Sequence, residues 1–489
     1  MRAEDLARSA QFREGFTLVD YAEVGLPIFR LTIEAITTAT RSMPTIQEFS
    51  MRCLALGETE EFGIARMLGL KEDIVRAAVD TLVTDGLVAR TAIVSDVSSF
   101  ALTPAGQDRL EKEAREVVQE EMIVVDYDGM RRMPVRVAGD NVVKAAELKT
   151  FGAVEIRPYP ANPPSVADLS IPEVRRVIRR QRGDDFRHNV LALKRVVRRN
   201  NVFREAVALV YAADRGDEIQ IAFALDGKLS ESHERAFAEN GGPKKMGFVR
   251  MIAEGKFRRR LERLIGKDAI KLLPDRQSLR QMRKEEAEAM AQVRSIELAV
   301  EIGGNRRASN PAAAALATAR DRLMMAEHEL DSLPLRPLAC YEQDELLAEA
   351  TTHARRSLVI TSAGLQPTVL TKHVLRDMDR LVGERAALCV GSFLKPQIEP
   401  RGGDHYDPLA ELTRRAQRNR VSLLQINRGD FFFLVKDDDL AVVSNRPFLG
   451  EIVRRSGFQR VEGYISRDRW IVERIRRLAE EACRPRRNG

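Results

Sequence analysis

No run of apolar residues in this 489-residue chain reaches the roughly 18 needed to cross a bilayer, and Met1-Arg2-Ala3-Glu4-Asp5 has no signal-peptide core. A cytoplasmic protein is expected. Cysteine is scarce: Cys53, Cys340, Cys389 and Cys483 lie far apart and form no Cys-x-x-Cys pair, which argues against a disulfide framework and a zinc knuckle. Cys389, within Ala386-Ala387-Leu388-Cys389-Val390, reads as a buried structural thiol. The six histidines are equally dispersed, with no His-x-x-x-His or His-Glu-x-x-His spacing, so no metal is expected; no cofactor is expected either. A complete phosphate-binding loop is also missing, since Gly241-Gly242-Pro243-Lys244-Lys245 lacks the rest of Gly-x-x-x-x-Gly-Lys-Ser/Thr. It reads as a loop leading into an arginine-rich helix.

What the chain does have is base, unevenly spread. The totals, 79 Lys/Arg against 72 Asp/Glu, give a net charge of only +7. Residues 171–204, however, hold 11 Lys/Arg and 3 Asp/Glu, residues 244–271 hold 10 and 3, and residues 454–487 hold 11 and 5. Three basic concentrations in an otherwise acidic chain are the electrostatic footprint of a polyanion partner, although a solvated helix face can look similar. With a hydrophobic fraction of 44% and this length, about three globular domains are expected.

The fold class expected is multidomain, mixing α+β and α/β parts. Residues 1–44 read as a helical lead-in, with breaks at Leu26-Pro27 and Met43-Pro44. Helices are expected over 46–56, 60–68 and 71–85, the last two separated by Gly69, with Ile74, Ala77, Ala78 and Leu82 forming the core face of the third. Two strands follow, over 87–93 and 100–102, and Thr103-Pro104 caps a further helix with Pro104 at its first position. This order, over 45–116, resembles a winged helix-turn-helix of MarR-like and PadR-like regulators. The resemblance implies DNA contact through the third helix, by Lys71 and Arg76. That helix also carries Glu72, Asp73, Asp80 and Asp85, so packing on a neighbouring domain or partner protein is an equal reading.

Residues 117–275 read as a basic, mixed α/β domain with strands over 122–127, 133–137, 153–157, 206–213 and 218–225. Its cations are expected on two helices: Arg175, Arg176, Arg179 and Arg180 over 173–182, and Lys194, Arg195, Arg198 and Arg199 over 190–199. Like charges stacked at three-and-four spacing repel unless a polyanion or acidic partner neutralises them. Lys244, Lys245, Arg258 and Arg259 extend the candidate set. Residues 276–333 form an antiparallel helical hairpin by a seven-residue repeat, Met282, Ala289 and Ile296 facing Leu316, Leu323 and Leu330. It reads as a spacer, an oligomerisation arm or an ordinary surface pair.

In the last segment, 340–484, strands and helices alternate, which implies a sheet covered on both faces. The stretch Asp430 to Asn445 reads as two short strands around the acidic turn Asp437-Asp438-Asp439. With its surroundings it resembles the hairpin of the phospholipase D superfamily. There, the first strand carries His-x-Lys, an Asp follows, and Ser and Asn close the second strand. Asp437, Ser444 and Asn445 match; Asp430 stands at the His position and Phe432 at the Lys position. A carboxylate would repel a phosphodiester and a phenyl ring can neither donate nor neutralise, so an inactive domain is implied. His405, between Asp404 and Asp407, and Asp430 are the only candidates for a non-standard site.

The leading expectation is a non-enzymatic nucleic-acid-binding or assembly subunit, with duplex DNA as partner. Protein partners through the hairpin or the winged helix, and a homo-oligomer, are also expected. Domain combinations of this kind look similar to accessory subunits of prokaryotic DNA-processing or anti-phage defence systems. The alternatives are a phosphodiesterase or nuclease with a non-standard site and a winged-helix transcription regulator.

Overall fold

The computed structural model describes residues 2–39, 43–94, 97–113, 117–138, 141–150, 152–182, 189–249, 256–302, 310–393, 406–426, 429–450 and 458–483. It is mixed α/β. Two compact units are built from interleaved pieces of chain: 27–144 with 160–204, and 1–26 with 145–159 and 205–489.

The expected helical lead-in is corrected. Only Ala3–Ser9 is helical there, and Phe16–Ala39 is one long strand. Its β-branched and aromatic residues, including Val19, Tyr21, Val24, Ile28, Phe29, Ile33 and Ile36, favour extended backbone, and this outweighs the proline signal. Pro27 is tolerated because it falls between partners. Val24 and Gly25 pair with Val154 and Glu155, pairing with the strand Val117–Asp128 begins at Ile28, and the Pro27 carbonyl accepts from Gly129 N.

In the unit formed by 27–144 and 160–204, residues 28–39 pair antiparallel with Val117–Asp128. Phe29, Leu31, Ile33, Ile123, Val125 and Tyr127 share one face and are buried beneath Val174, Val177 and Ile178 of the helix Ile171–Arg182. Residues 190–199, expected to be a second basic helix, belong instead to the strand Asn189–Ala213. The cause is tertiary: Val190 is buried in that same core, with Leu193 and Val196 packed against it, so the segment is held beside the sheet.

The same unit holds the helices Thr45–Ala55, Glu61–Leu68 and Glu72–Thr84, a two-stranded sheet of Val88–Val94 and Val97–Leu102, and the helix Pro104–Glu113. Gly69 closes the second helix at φ 67°, the left-handed conformation that glycine adopts without strain. On Glu72–Thr84 the buried face is Val75, Ala78, Val79 and Leu82, whereas Ile74 is exposed. The expected face was therefore rotated by about one residue. Thr103 caps the last helix, its Oγ1 accepting from Gly106 N at 3.0 Å. A Cβ on Gly106 would lie 2.0 Å from the Leu87 carbonyl oxygen. Gly106→Ala is expected to cost about 1–3 kcal/mol by overpacking, measurable by denaturant unfolding; an unchanged midpoint would show that the backbone yields there.

In the other unit, Arg276–Ile302 and Asn310–Asp331 form the helical hairpin, with Ala289 and Leu330 buried in the expected seam. Ser309 of its expected cap lies outside the described residues. The short helix Ala3–Ser9 is tied to it by ion pairs from Arg8 to Glu286 and from Arg294 to Asp5.

The seven-stranded sheet of this unit runs, in order, Arg336–Pro337, Gly463–Ser466, Leu440–Ser444, Phe432–Lys436, Ser357–Ser362, Ala387–Ser392 and Ser422–Gln425. The last three are mutually parallel and the other pairs are antiparallel. Alternation divides its side chains between two cores. Ile360, Leu434, Val442 and Ile465, in register, enter one with Leu346 and Met378, while Val435, Ala441, Phe433, Val443 and Tyr464 enter the other with Ile471 and Ile475. A sheet covered on both faces is what the apolar strand sequences implied.

Candidate functional site

The hairpin Phe432–Lys436 and Leu440–Ser444 is buried along its full length. Phe432 lies in one core, 6.3 Å from the Phe393 ring centroid, and Phe433 lies in the other. Phe431 meets Phe257 edge to face at 6.3 Å. Asp430 is half-exposed and ion-paired with Arg260, a residue the sequence did not single out. Neither position resembling the His-x-Lys pair therefore offers an imidazole or a cation. His405 and Asp404 lie outside the described residues.

The matching residues of the hairpin all have structural partners. Asp437 accepts three backbone N–H groups, from Arg355 at 2.9 Å, Arg356 at 2.7 Å and Ser357 at 2.8 Å. Burial raises its pKa, but these bonds outweigh that and hold the carboxyl below its ordinary range. Ser444 Oγ lies 3.2 Å from Gln343 Oε1 and accepts from Arg446 N at 3.0 Å. Asn445 donates to the Arg460 carbonyl at 2.8 Å and accepts from Glu462 N at 2.9 Å. The motif's polar residues thus position chain segments.

Beside them, Lys436 and Arg467 both reach Glu349, at 2.8 Å each, and Arg467 also meets Asp331 at 2.8 Å. Burial works to raise the Glu349 pKa, but hydrogen bonds from Arg467 and Lys436 prevail and hold it at about 2, against an ordinary 4.5. A carboxyl with its folded pKa depressed stabilises above 4.5, and that stability is lost as pH falls through about 2. Glu349→Gln is expected to cost about 2 kcal/mol at pH 7 and to flatten stability between pH 4.5 and 2. Urea titrations at stepped pH check this; a variant keeping the wild-type pH slope would show that another group is responsible.

A cavity of about 630 Å³ near the turn is lined by Arg356, Arg469, Arg476 and Trp470, but also by Asp437, Asp438, Asp468 and Glu473. Four acids against three arginines make it a poor anion site. Among the described residues no group of acids, histidines and cysteines could hold a metal ion, and no helix is long and apolar enough to cross a membrane.

The cationic candidates divide by what they touch. On the helix Glu72–Thr84, Arg76 is bound to Glu61 at 3.0 Å and Glu72 at 2.8 Å, and exposed Asp73 and Asp80 share the outer surface with Lys71. On the strand Asn189–Ala213, Lys194 and Arg195 are held by Glu34 at 3.0 and 2.6 Å, and Lys194 also by Glu120 at 2.8 Å. Hydrogen bonds from Arg195 and Lys194 lower the Glu34 pKa in turn. Arg175 donates to the Val190 carbonyl at 2.8 Å, which ties its helix to the strand. In the other unit, Arg258 pairs with Glu262 at 3.1 Å and Lys245 sits 3.9 Å over the Tyr159 ring, while Lys244 and Arg259 are exposed. Gly242–Lys245 is a single helical turn.

Arg176, Arg179 and Arg180 are different. All three are exposed, and none has a carboxylate partner among the described residues. The helix presents them outward because Val174, Val177 and Ile178 are drawn into the core. Arg198 and Arg199, on the strand, are likewise exposed and without such partners.

No family model matches the chain, and no curated protein matches it. Among solved structures it is similar to NucT from Helicobacter pylori, at 8% identity and a TM-score of 0.22, over 30% of this chain and 95% of that one. It is also similar to TrmBL2, an archaeal chromatin protein, at 13% identity and a TM-score of 0.21, over 38% of this chain and 66% of that one. A third likeness is to the phosphatidylserine synthase of Haemophilus influenzae Rd KW20, at 10% and 0.20, over 35% and 45%. The chain thus spans slightly less than two thirds of TrmBL2 and under half of the synthase.

Proposed function

We propose that the chain is a nucleic-acid-binding or assembly subunit that grips duplex DNA by its phosphates and carries a phospholipase D-like domain without its catalysis. The observation that supports this best is the outward row Arg176, Arg179 and Arg180, on a helix whose other face is buried. Three guanidinium groups within about 6 Å of helix axis, without a carboxylate partner among the described residues, repel one another, and a polyanion removes that repulsion. The winged-helix reading of residues 45–116 stays within this proposal, with a changed role. Its third helix has Arg76 already paired and carboxylates facing solvent, which favours packing or partner contact over groove reading.

The absence of catalysis is supported by the Asp430–Arg260 pair, the buried Phe432, and the structural bonds of Asp437, Ser444 and Asn445. Assembly with a DNA-processing or defence system, a homo-oligomer and a cytoplasmic setting belong to the same proposal, by analogy of domain order. The test is fluorescence anisotropy with labelled 30-bp duplexes of unrelated sequence. Affinity should be sequence-tolerant and fall by roughly 10³–10⁵ between 50 and 200 mM salt if 6–10 phosphates are contacted, with the duplex recovered uncut. Affinity flat across that range, or cleavage, overturns the reading.

A further inference from the structure

Cys389 lies in the strand Ala387–Ser392, whose Leu388 and Val390 enter one core of the seven-stranded sheet. By alternation, Cys389 and Gly391 face the opposite side, where the helix Arg469–Cys483 packs through Ile471, Val472, Ile475 and Ala479. Two observations place the last residue of that helix over this spot. A Cβ on Gly391 would lie 2.9 Å from Cys483 Sγ, so the sulfur occupies the space that a side chain at 391 would take. In addition, each of the two thiols acts on the other's ionisation, Cys483 being lowered and Cys389 raised. Cys483 is buried and Cys389 half-buried, while the other two thiols, Cys53 and Cys340, are buried in separate cores.

We propose that Cys389 and Cys483 form a redox modification site, closing to a disulfide that clamps the C-terminal helix onto the sheet when a peroxide is present. The step balances. A Cys483 thiolate attacks one peroxide oxygen, the O–O bond breaks, and Cys483 sulfenic acid and water result after protonation. The Cys389 sulfur then attacks the Cys483 sulfur, the S–O bond breaks, and the departing hydroxide takes the Cys389 proton as a second water. In sum, two thiols are oxidised to one disulfide and one hydrogen peroxide is reduced to two waters. The pairing lowers the Cys483 pKa, and the chemistry balances equally with the two sulfurs exchanged. Gly391 is what lets the two sulfurs meet; a Cβ there would displace Cys483.

The experiment uses the full chain, exposed to a few equivalents of hydrogen peroxide, alkylated with N-ethylmaleimide and digested without reductant. The expected product is a cross-linked peptide pair carrying Cys389 and Cys483, about 2 Da below the summed thiol masses and separable by dithiothreitol, with Cys53 and Cys340 recovered alkylated. Oxidation should also raise the melting temperature, reversibly. Gly391→Ala, which keeps all four cysteines, should reduce the cross-link yield several-fold. Recovery of Cys389 and Cys483 only as separately alkylated or separately oxidised peptides overturns the proposal.

Discussion

Replacing Arg176, Arg179 and Arg180 together by alanine is expected to weaken duplex binding more than any other change in the set of basic residues. Each phosphate contact contributes about 0.9 to the slope of log affinity against log salt, so three lost contacts should lower that slope by about 2.7. The loss should be uniform across sequences, because phosphate contacts position a protein without reading bases. Fold stability should change little: the three side chains are exposed, and the helix is held by Val174, Val177 and Ile178. Arg76→Ala and Lys194→Ala serve as contrasts. Their cations are already neutralised by Glu61 and Glu72, and by Glu34 and Glu120, so each should shift affinity less than two-fold. A triple variant that keeps the wild-type slope would remove this helix from the interface.

The second large effect is on stability. Asp437→Ala would leave the N–H groups of Arg355, Arg356 and Ser357 without their acceptor at the start of the interior strand Ser357–Ser362. Losing three bonds to a charged acceptor costs on the order of 3–5 kcal/mol, allowing for some repair by water. Asp437→Asn should cost less, about 1–2 kcal/mol, because one carbonyl oxygen can still accept from Arg356 and Ser357, and because asparagine suits the left-handed φ of 43° at this position. Urea unfolding of the two variants separates the cases. If both lose the same small amount, the turn is held by the sheet alone and the three bonds add nothing.

Local pattern was enough for some parts of the structure. Thr103-Pro104 gave a helix start, Gly69 a left-handed stop, and the heptad leucines a helical hairpin, because each depends on residues within a turn or two. The alternating apolar strands of the last segment likewise gave a sheet covered on both faces. Residues 190–199 show the limit. Lys194, Arg195, Arg198 and Arg199 have helical spacing, yet the segment is strand, because Val190 and its apolar neighbours are held against a core built by Leu31 and Val125, distant in sequence. Phe16–Ala39 fails the same way, Pro27 being harmless only because its partners change there.

For the site, the sequence by itself determined that Asp430 and Phe432, not a histidine and a lysine, precede the acidic turn and that base is gathered in three places, since residue identity and charge need no fold. Tertiary structure alone decided which cations have a carboxylate partner among the described residues. Arg76, Lys194 and Arg195 find carboxylates on other segments, whereas the buried face of Ile171–Arg182 turns Arg176, Arg179 and Arg180 outward. Ion pairing is set by distances of a few ångströms between residues far apart in the chain, and nothing in their order along it records those distances.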